Sequence, residues 1–336
     1  MSWSVVNDGD GLPRIILTEP AGSSAVIHLY GGQVLSWKNE KREELLFVST
    51  KASTKSPKPI RGGIPICFPQ FDNLGYPERH GFARNRLWEL DTCPSPLPRS
   101  NNHSSVDLIL KSTDEDLKTW PHRYYLRSEF IHMISDKQMT IPTYKWLPFV
   151  CCLCSFELRL RVILHPSKLT LIPRVRNTGS KDFSFTFAIQ NYLSMSDVSE
   201  IRVEGLETLD YFDNLENGER FTEQGDALTF DGEVDRVYLR TPAKIAIIDH
   251  EKKRTLVLRK ECLPDAGVWN PWNKKAKALP DFGDEDYKAM LCINSAVAET
   301  PVVLKPLEEW RGCQELSVVS SSYCSGQLDP RIVLHG

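Results

Sequence analysis

Residues 183–192 read Phe-Ser-Phe-Thr-Phe-Ala-Ile-Gln-Asn-Tyr. Phe183, Phe185 and Phe187 alternate with Ser184 and Thr186, so an extended chain puts three aromatic rings on one face. That period of two belongs to a strand with one buried side. Runs of the same length recur on both sides of it: Arg14–Leu17, Ser24–Leu29, Ser105–Leu110, Leu158–Leu164, Lys168–Arg176, Arg236–Leu239, Lys244–Asp249, Thr255–Arg259 and Gln314–Ser320. Turn residues separate them, as at 177–179, Asn217-Gly218 and Asp231-Gly232. Helical periodicity is scarce and no internal repeat is visible. Many short strands between turn signals predict an all-β sandwich or barrel.

The chain has 336 residues, 41% hydrophobic and 25% charged. That is an ordinary globular composition, long for one domain but within the range of large sandwiches. The formal charge of −3 argues against general attraction to nucleic acid or to an anionic membrane. The N-terminus lacks the basic start and apolar core of a secretory signal, and early Asp8 and Asp10 do not suit a transit peptide. No apolar run approaches the roughly 18 residues that cross a bilayer. The nine cysteines are an odd number, mostly isolated in strand-like segments, as buried thiols of a reducing compartment are. A cytoplasmic protein without metal or cofactor is expected. The cluster Cys151, Cys152 and Cys154 has no partner pair at zinc-site spacing.

Two segments read as loops: 49–59, rich in Ser, Thr, Lys and Pro, and 94–105, rich in Pro, Ser and Asn. Residues 123–154 fit their surroundings poorly. They show no period and carry three of the nine cysteines, and removing them would join Trp120-Pro121-His122 directly to the strand that begins near Phe156. The block reads as an insertion foreign to the domain, of the kind a retained intron encodes. The alternative is an ordinary long loop with a short helix.

Three regions carry groups suited to chemistry. Residues 60–71, Ile-Arg-Gly-Gly-Ile-Pro-Ile-Cys-Phe-Pro-Gln-Phe, place Arg61 at a Gly-Gly break where backbone can turn tightly and a ligand can approach. Residues 80–86, His-Gly-Phe-Ala-Arg-Asn-Arg, add His80, Arg84 and Arg86, and guanidinium grips phosphate in a fork. Further on stand Asp235 in Val-Asp-Arg-Val-Tyr, Trp269 in Val-Trp-Asn-Pro-Trp, and the acidic run 281–287. Sugars stack on aromatic rings and use carboxylates for their hydroxyls, although tryptophan is more often packing than platform. The acidic run reads as a solvated loop, with a cation site as the minor alternative.

The segments RGGIPICFPQF, RHGFAR, VEGLETLDYFDNL, GEVDRVYL, VWNPW, DFGDEDY and SSSYCSGQLDP, collinear along nearly the whole chain, resemble those of the plant-type glucose-6-phosphate 1-epimerases of the galactose-mutarotase-like superfamily. The resemblance implies a single domain over 1–336 and a large antiparallel β-sandwich with a sugar site in a concave sheet face. It also implies interconversion of the α and β anomers of a hexose 6-phosphate. In that reaction a base takes the proton of the anomeric hydroxyl and an acid protonates the ring oxygen, so the family uses a titrating His and Glu. At the matching positions this chain has Gln190, within Ala188-Ile189-Gln190-Asn191-Tyr192, and Asn294, within Cys292-Ile293-Asn294. Neither amide titrates, but both can hydrogen-bond a sugar.

By the same resemblance Arg61, Arg84 and Arg86 match phosphate or rim positions, His80 matches a family His, Asp235 contacts hydroxyls and Trp269 lines the site. Three readings follow. One is a weakened epimerase, with His80 or, less suitably, Glu299 as substitute proton carrier. Another is a catalytically inactive binder of hexose 6-phosphate. The last is a scaffold subunit. Retained arginines favour the first two, and the paired loss at Gln190 and Asn294 favours the second. A monomer is expected.

Overall fold

The computed structural model describes residues 3–7, 12–53, 58–72, 78–94, 103–113, 115–116, 120 and 155–320. They form three antiparallel sheets. The first is a meander of Trp3–Asn7, Pro13–Thr18, Ser24–His28 and Gln33–Lys38. The second has seven strands in the spatial order Glu219–Thr222, Asp210–Asp213, Val234–Tyr238, Asp265–Asn270, Met290–Leu304, Phe183–Ser194, Ile66–Cys67. The third has nine, including Phe156–His165, Lys168–Asn177, Lys244–Asp249, Arg254–Glu261 and Cys313–Ser320. Every strand predicted from alternation is present, most of them a residue or two longer than the apolar run alone suggested. The large antiparallel β-sandwich is therefore as expected.

The seven- and nine-stranded sheets share one core. Phe187, Ile189, Ile293 and Val268 face inward from the former and Leu158, Leu160, Leu256, Leu258 and Leu316 from the latter, all fully or almost fully buried. The three rings of the opening motif lie in this core, and Phe185 and Phe187 both meet Trp310, with centroids 5.6 and 5.1 Å away. Burial of each such side chain stabilises the fold by roughly 1.5–3 kcal/mol. One polar pair interrupts the core. Asn191 and Gln314, both 0% exposed, exchange hydrogen bonds of 3.0 and 2.7 Å between the two sheets. Asn191 also donates to Ile293 O at 2.8 Å.

Alternation then decides what the outer face of the seven-stranded sheet presents. With Ile189, Asn191 and Leu193 turned inward, Ala188, Gln190 and Tyr192 turn outward, toward the loops that contain the arginines. Those loops and the short helix Trp272–Ala278 wall off a cleft over this face. No helix among the described residues is long and apolar enough to cross a membrane. The whole 123–154 block lies outside the described residues, as do 54–57 and 95–102 of the two expected loops. The second loop ends earlier than expected: Ser104 and Ser105 belong to the strand Ser104–Lys111, where the buried Ser104 hydroxyl donates to Thr18 O.

Candidate functional site

The Gly-Gly break sets the cleft's edge. Gly62 and Gly63 have φ of 131° and 61°, and a side-chain carbon on Gly62 would lie 2.5 Å from Phe47 O. Gln33 donates from Nε2 to the carbonyls of Ile60 and Gly62, bracketing Arg61 from both sides. The Arg61 guanidinium donates to both oxygens of Asp281, at 3.1 and 3.3 Å, and to the Tyr192 hydroxyl at 3.3 Å. It also lies 6.0 Å from the centroid of the Trp269 ring. Burial pulls its pKa down, but Tyr192 and Asp281 outweigh this and the net shift is upward. It is a fixed cation.

This geometry changes the reading of the acidic run. Asp281 orients Arg61, Asp284 pairs with Lys51 at 2.6 Å, and Asp286 receives Ser49 Oγ at 2.8 Å and Thr50 N at 2.9 Å. The run is thus not simply a solvated loop: it fastens the segment that leads into Arg61. Among the described residues, no group of three or more His, Cys, Asp and Glu side chains could hold a metal ion.

The second motif turns at His80 and Gly81, with φ of 66° and 75°. Asp72 and His80 lock together through two bonds of 3.0 Å each: His80 N donates to Asp72 O, and Asp72 N donates to His80 Nδ1. The ring stacks on Phe71 with centroids 5.6 Å apart. Burial, then Arg84, Arg79 and Arg61, hold the imidazole well below its ordinary pKa, so it is neutral with its proton on Nε2. It can donate a hydrogen bond into the cleft. To act as a base it would have to surrender the Asp72 amide.

The arginines divide differently from expectation. Arg79, which sequence reasoning passed over, lines the cleft, pairs with Asp72 at 2.9 Å and stands 3.9 Å from Asp235. Arg84 donates to Arg79 O at 2.6 Å and its buried Nε has no partner; burial first, and then Arg61 and Arg79, pull its pKa down. Arg86 is not brought to the cleft. The short turn Ala83–Asn85 carries it to the other side, where it donates to the buried Asp116 at 2.7 Å and lies over Phe82. Asp235 lines the cleft and accepts from Asn214 at 2.8 Å; burial raises its pKa, against Asn214 and Arg79. Glu299 does not reach. It pairs with Arg240 at 3.6 Å and Arg220 at 3.8 Å, and its N–H donates to Asp265.

The floor follows from strand register. Gln190 lies directly opposite Asn294, which lies directly opposite Gly267 on the next strand. One step along, Tyr192, Cys292, Trp269 and Asp235 form the neighbouring row. Directly opposed residues of antiparallel strands share a face, so both rows look into the cleft. Gln190 is 6% and Asn294 3% exposed. A side-chain carbon on Gly267 would come within 2.7 Å of Asn294 Nδ2, so glycine there leaves the amide its place. Burial raises the Cys292 thiol well above its ordinary pKa, and the protonated sulfur donates to Asn294 Oδ1 at 3.2 Å. The cleft holds about 100 Å³. A larger cavity, about 620 Å³, between the Asn39–Glu44 turn and Lys252–Arg254 contains none of the expected site residues.

A family model described as aldose 1-epimerase matches residues 13–142 and 153–317. A protein of Cenchrus ciliaris provisionally named glucose-6-phosphate 1-epimerase is 55% identical over 336 residues, covering 99% of this chain and 92% of that one. One from Salmonella typhimurium with the same provisional name is 27% identical, with 87% and 85% covered. The crystal structure of a provisionally assigned mutarotase from Salmonella typhimurium superposes with a TM-score of 0.75 at 23% identity, covering 94% of this chain and 97% of that one. That last likeness speaks for the fold.

Proposed function

We propose, from the premise that this chain belongs to the aldose 1-epimerase family, that its cleft binds a hexose 6-phosphate and has lost most of the family's power to interconvert anomers. The observation that carries this reading is the pair of opposed amides, Gln190 and Asn294, at the centre of the floor. Ring opening needs one group to remove the anomeric proton and another to protonate the ring oxygen. Neither amide does either, and neutral His80, held by Asp72, is a donor and not a base. The binding groups are Arg61 and Arg79 for the phosphate, Asp235 for hydroxyls and Trp269 for the sugar face, with Arg84, not itself in the lining, bonded to Arg79 O behind them. Glucose 6-phosphate is the first ligand to try, after the names of the relatives. A cytoplasmic monomer remains part of this reading.

The test is exchange between the anomers of glucose 6-phosphate, followed by NMR against a protein-free control. The native protein is expected to match the control and the double variant Gln190→His, Asn294→Glu to exceed it. Clear acceleration by the native protein would refute the loss of activity and make His80 the first residue to mutate.

A further inference from the structure

In a working epimerase the groups at the anomeric carbon must serve both configurations, because a titrating side chain gives and takes a proton as the hydroxyl moves from one face to the other. This cleft has two neutral amides there, and their hydrogen-bonding capacity is fixed. Among the described residues the Gln190 side chain forms no hydrogen bond, and its buried Oε1 has no partner. A buried acceptor left empty is costly, so it asks for a donor from a ligand. Asn294 is held the opposite way round. The Cys292 thiol occupies Oδ1, which leaves Nδ2 beside Gly267 as the group free to donate. The floor thus offers a buried acceptor on Gln190 and a donor on Asn294, on adjacent strands in direct register, with Gln190 Nε2 as a further donor.

We infer that the cleft reads anomeric configuration: it holds a hexose 6-phosphate as the closed pyranose and selects one anomer, with Gln190 Oε1 accepting from the anomeric hydroxyl and Asn294 Nδ2 donating to a ring or anomeric oxygen. This rests on the binding reading above. A closed ring follows from the chemistry, since opening it requires a proton transfer that neither amide performs. Selection follows from rigidity. An O–H···O bond tolerates roughly 2.5–3.0 Å. Both amides sit on interior strands of the seven-stranded sheet, almost completely buried. An acceptor so fixed meets the hydroxyl of one anomer and leaves that of the other unpaired. Which anomer fits depends on how the phosphate seats among Arg61 and Arg79.

Two readouts on one sample separate this inference from the reading beneath it. The phosphorus resonance of [1-¹³C]glucose 6-phosphate reports binding, and the labelled carbon reports the anomer ratio. With protein in excess, a saturable phosphorus shift is expected together with a several-fold departure of the ratio from its value in free solution. Gln190→Met, which keeps size and removes the acceptor, is expected to return the ratio to the free value and to bind more weakly, with a saturable phosphorus shift still reached at higher protein concentration. The native protein should bind 1,5-anhydroglucitol 6-phosphate, which lacks the anomeric hydroxyl, about 5- to 150-fold more weakly than the preferred anomer, the range for an orphaned buried group. Binding with an unshifted ratio, or equal affinity for the anhydro sugar, would overturn anomer selection and leave phosphate binding standing. No phosphorus shift at all would overturn both.

Discussion

The rim and the floor of the cleft are built on opposite principles. At the rim, charge is paired and oriented: Arg61 by Asp281 and Tyr192, and Arg79 by Asp72. On the floor, the central groups are neutral and one of them is unpaired. Rim residues come from loops pinned by contacts distant in sequence, whereas the floor comes from strand register alone. On the proposed reading, recognition of the phosphate falls to the rim and proton transfer at the sugar oxygens to the floor, so the first is kept where the second is given up.

The largest expected effect reverses that separation. Gln190→His with Asn294→Glu should raise the rate of anomer exchange on the order of 10²–10⁴-fold above the native protein, the usual weight of positioned acid–base groups. A null result, with the variant folded and binding, would show that the floor lacks more than these two groups. Arg61→Met attacks the rim. It removes a cation from a buried, hydrogen-bonded site and should weaken glucose 6-phosphate binding by about 2–5 kcal/mol. Calorimetric titration measures it, and unchanged affinity would take Arg61 out of phosphate recognition.

A third change tests the ground beneath the floor. Gln314→Leu leaves the buried Asn191 amide without its cross-sheet partner and should cost about 1–3 kcal/mol in urea unfolding. Joint replacement of Asn191 and Gln314 by Leu should cost less than the two single changes summed. Strict additivity would mean that the pair does not act as a unit.

The smallest effect concerns pH. Burial first, and then Arg14, hold His28 below its ordinary pKa, against a bond to Tyr30 O, and His80 is held low as well. The unfolded chain takes up these protons near the ordinary imidazole pKa of about 6.5, while the folded protein resists them. Their contribution is present above that pH and is lost as pH falls below it. The urea midpoint should drop between pH 7.5 and 5.5, and His28→Gln should reduce the drop.

Much of this was legible in the chain. Alternation in Phe183–Phe187 marks both a strand and its buried face, and Tyr192 and Cys292 flank Gln190 and Asn294, which the register sets directly opposite each other. What stayed hidden depends on contacts between remote segments. Nothing local tells that Asp281 reaches Arg61, 220 residues away, or that Asp286 binds Ser49, 237 residues away. The exchange of Arg86 for Arg79 has a local cause. Between them lie a left-handed turn at His80-Gly81 and a 3₁₀ turn at Ala83–Asn85, and spacing alone does not show which arginine such a path turns inward.

The Asn191–Gln314 pair has a mechanical consequence. Two hydrogen bonds joining the sheets between fully buried side chains work as a dowel, because any sliding of one sheet over the other breaks both at once away from solvent. Gln190 is the next residue along the same strand. The floor therefore cannot adapt by shear, and whatever accommodation a ligand requires must come from the walls.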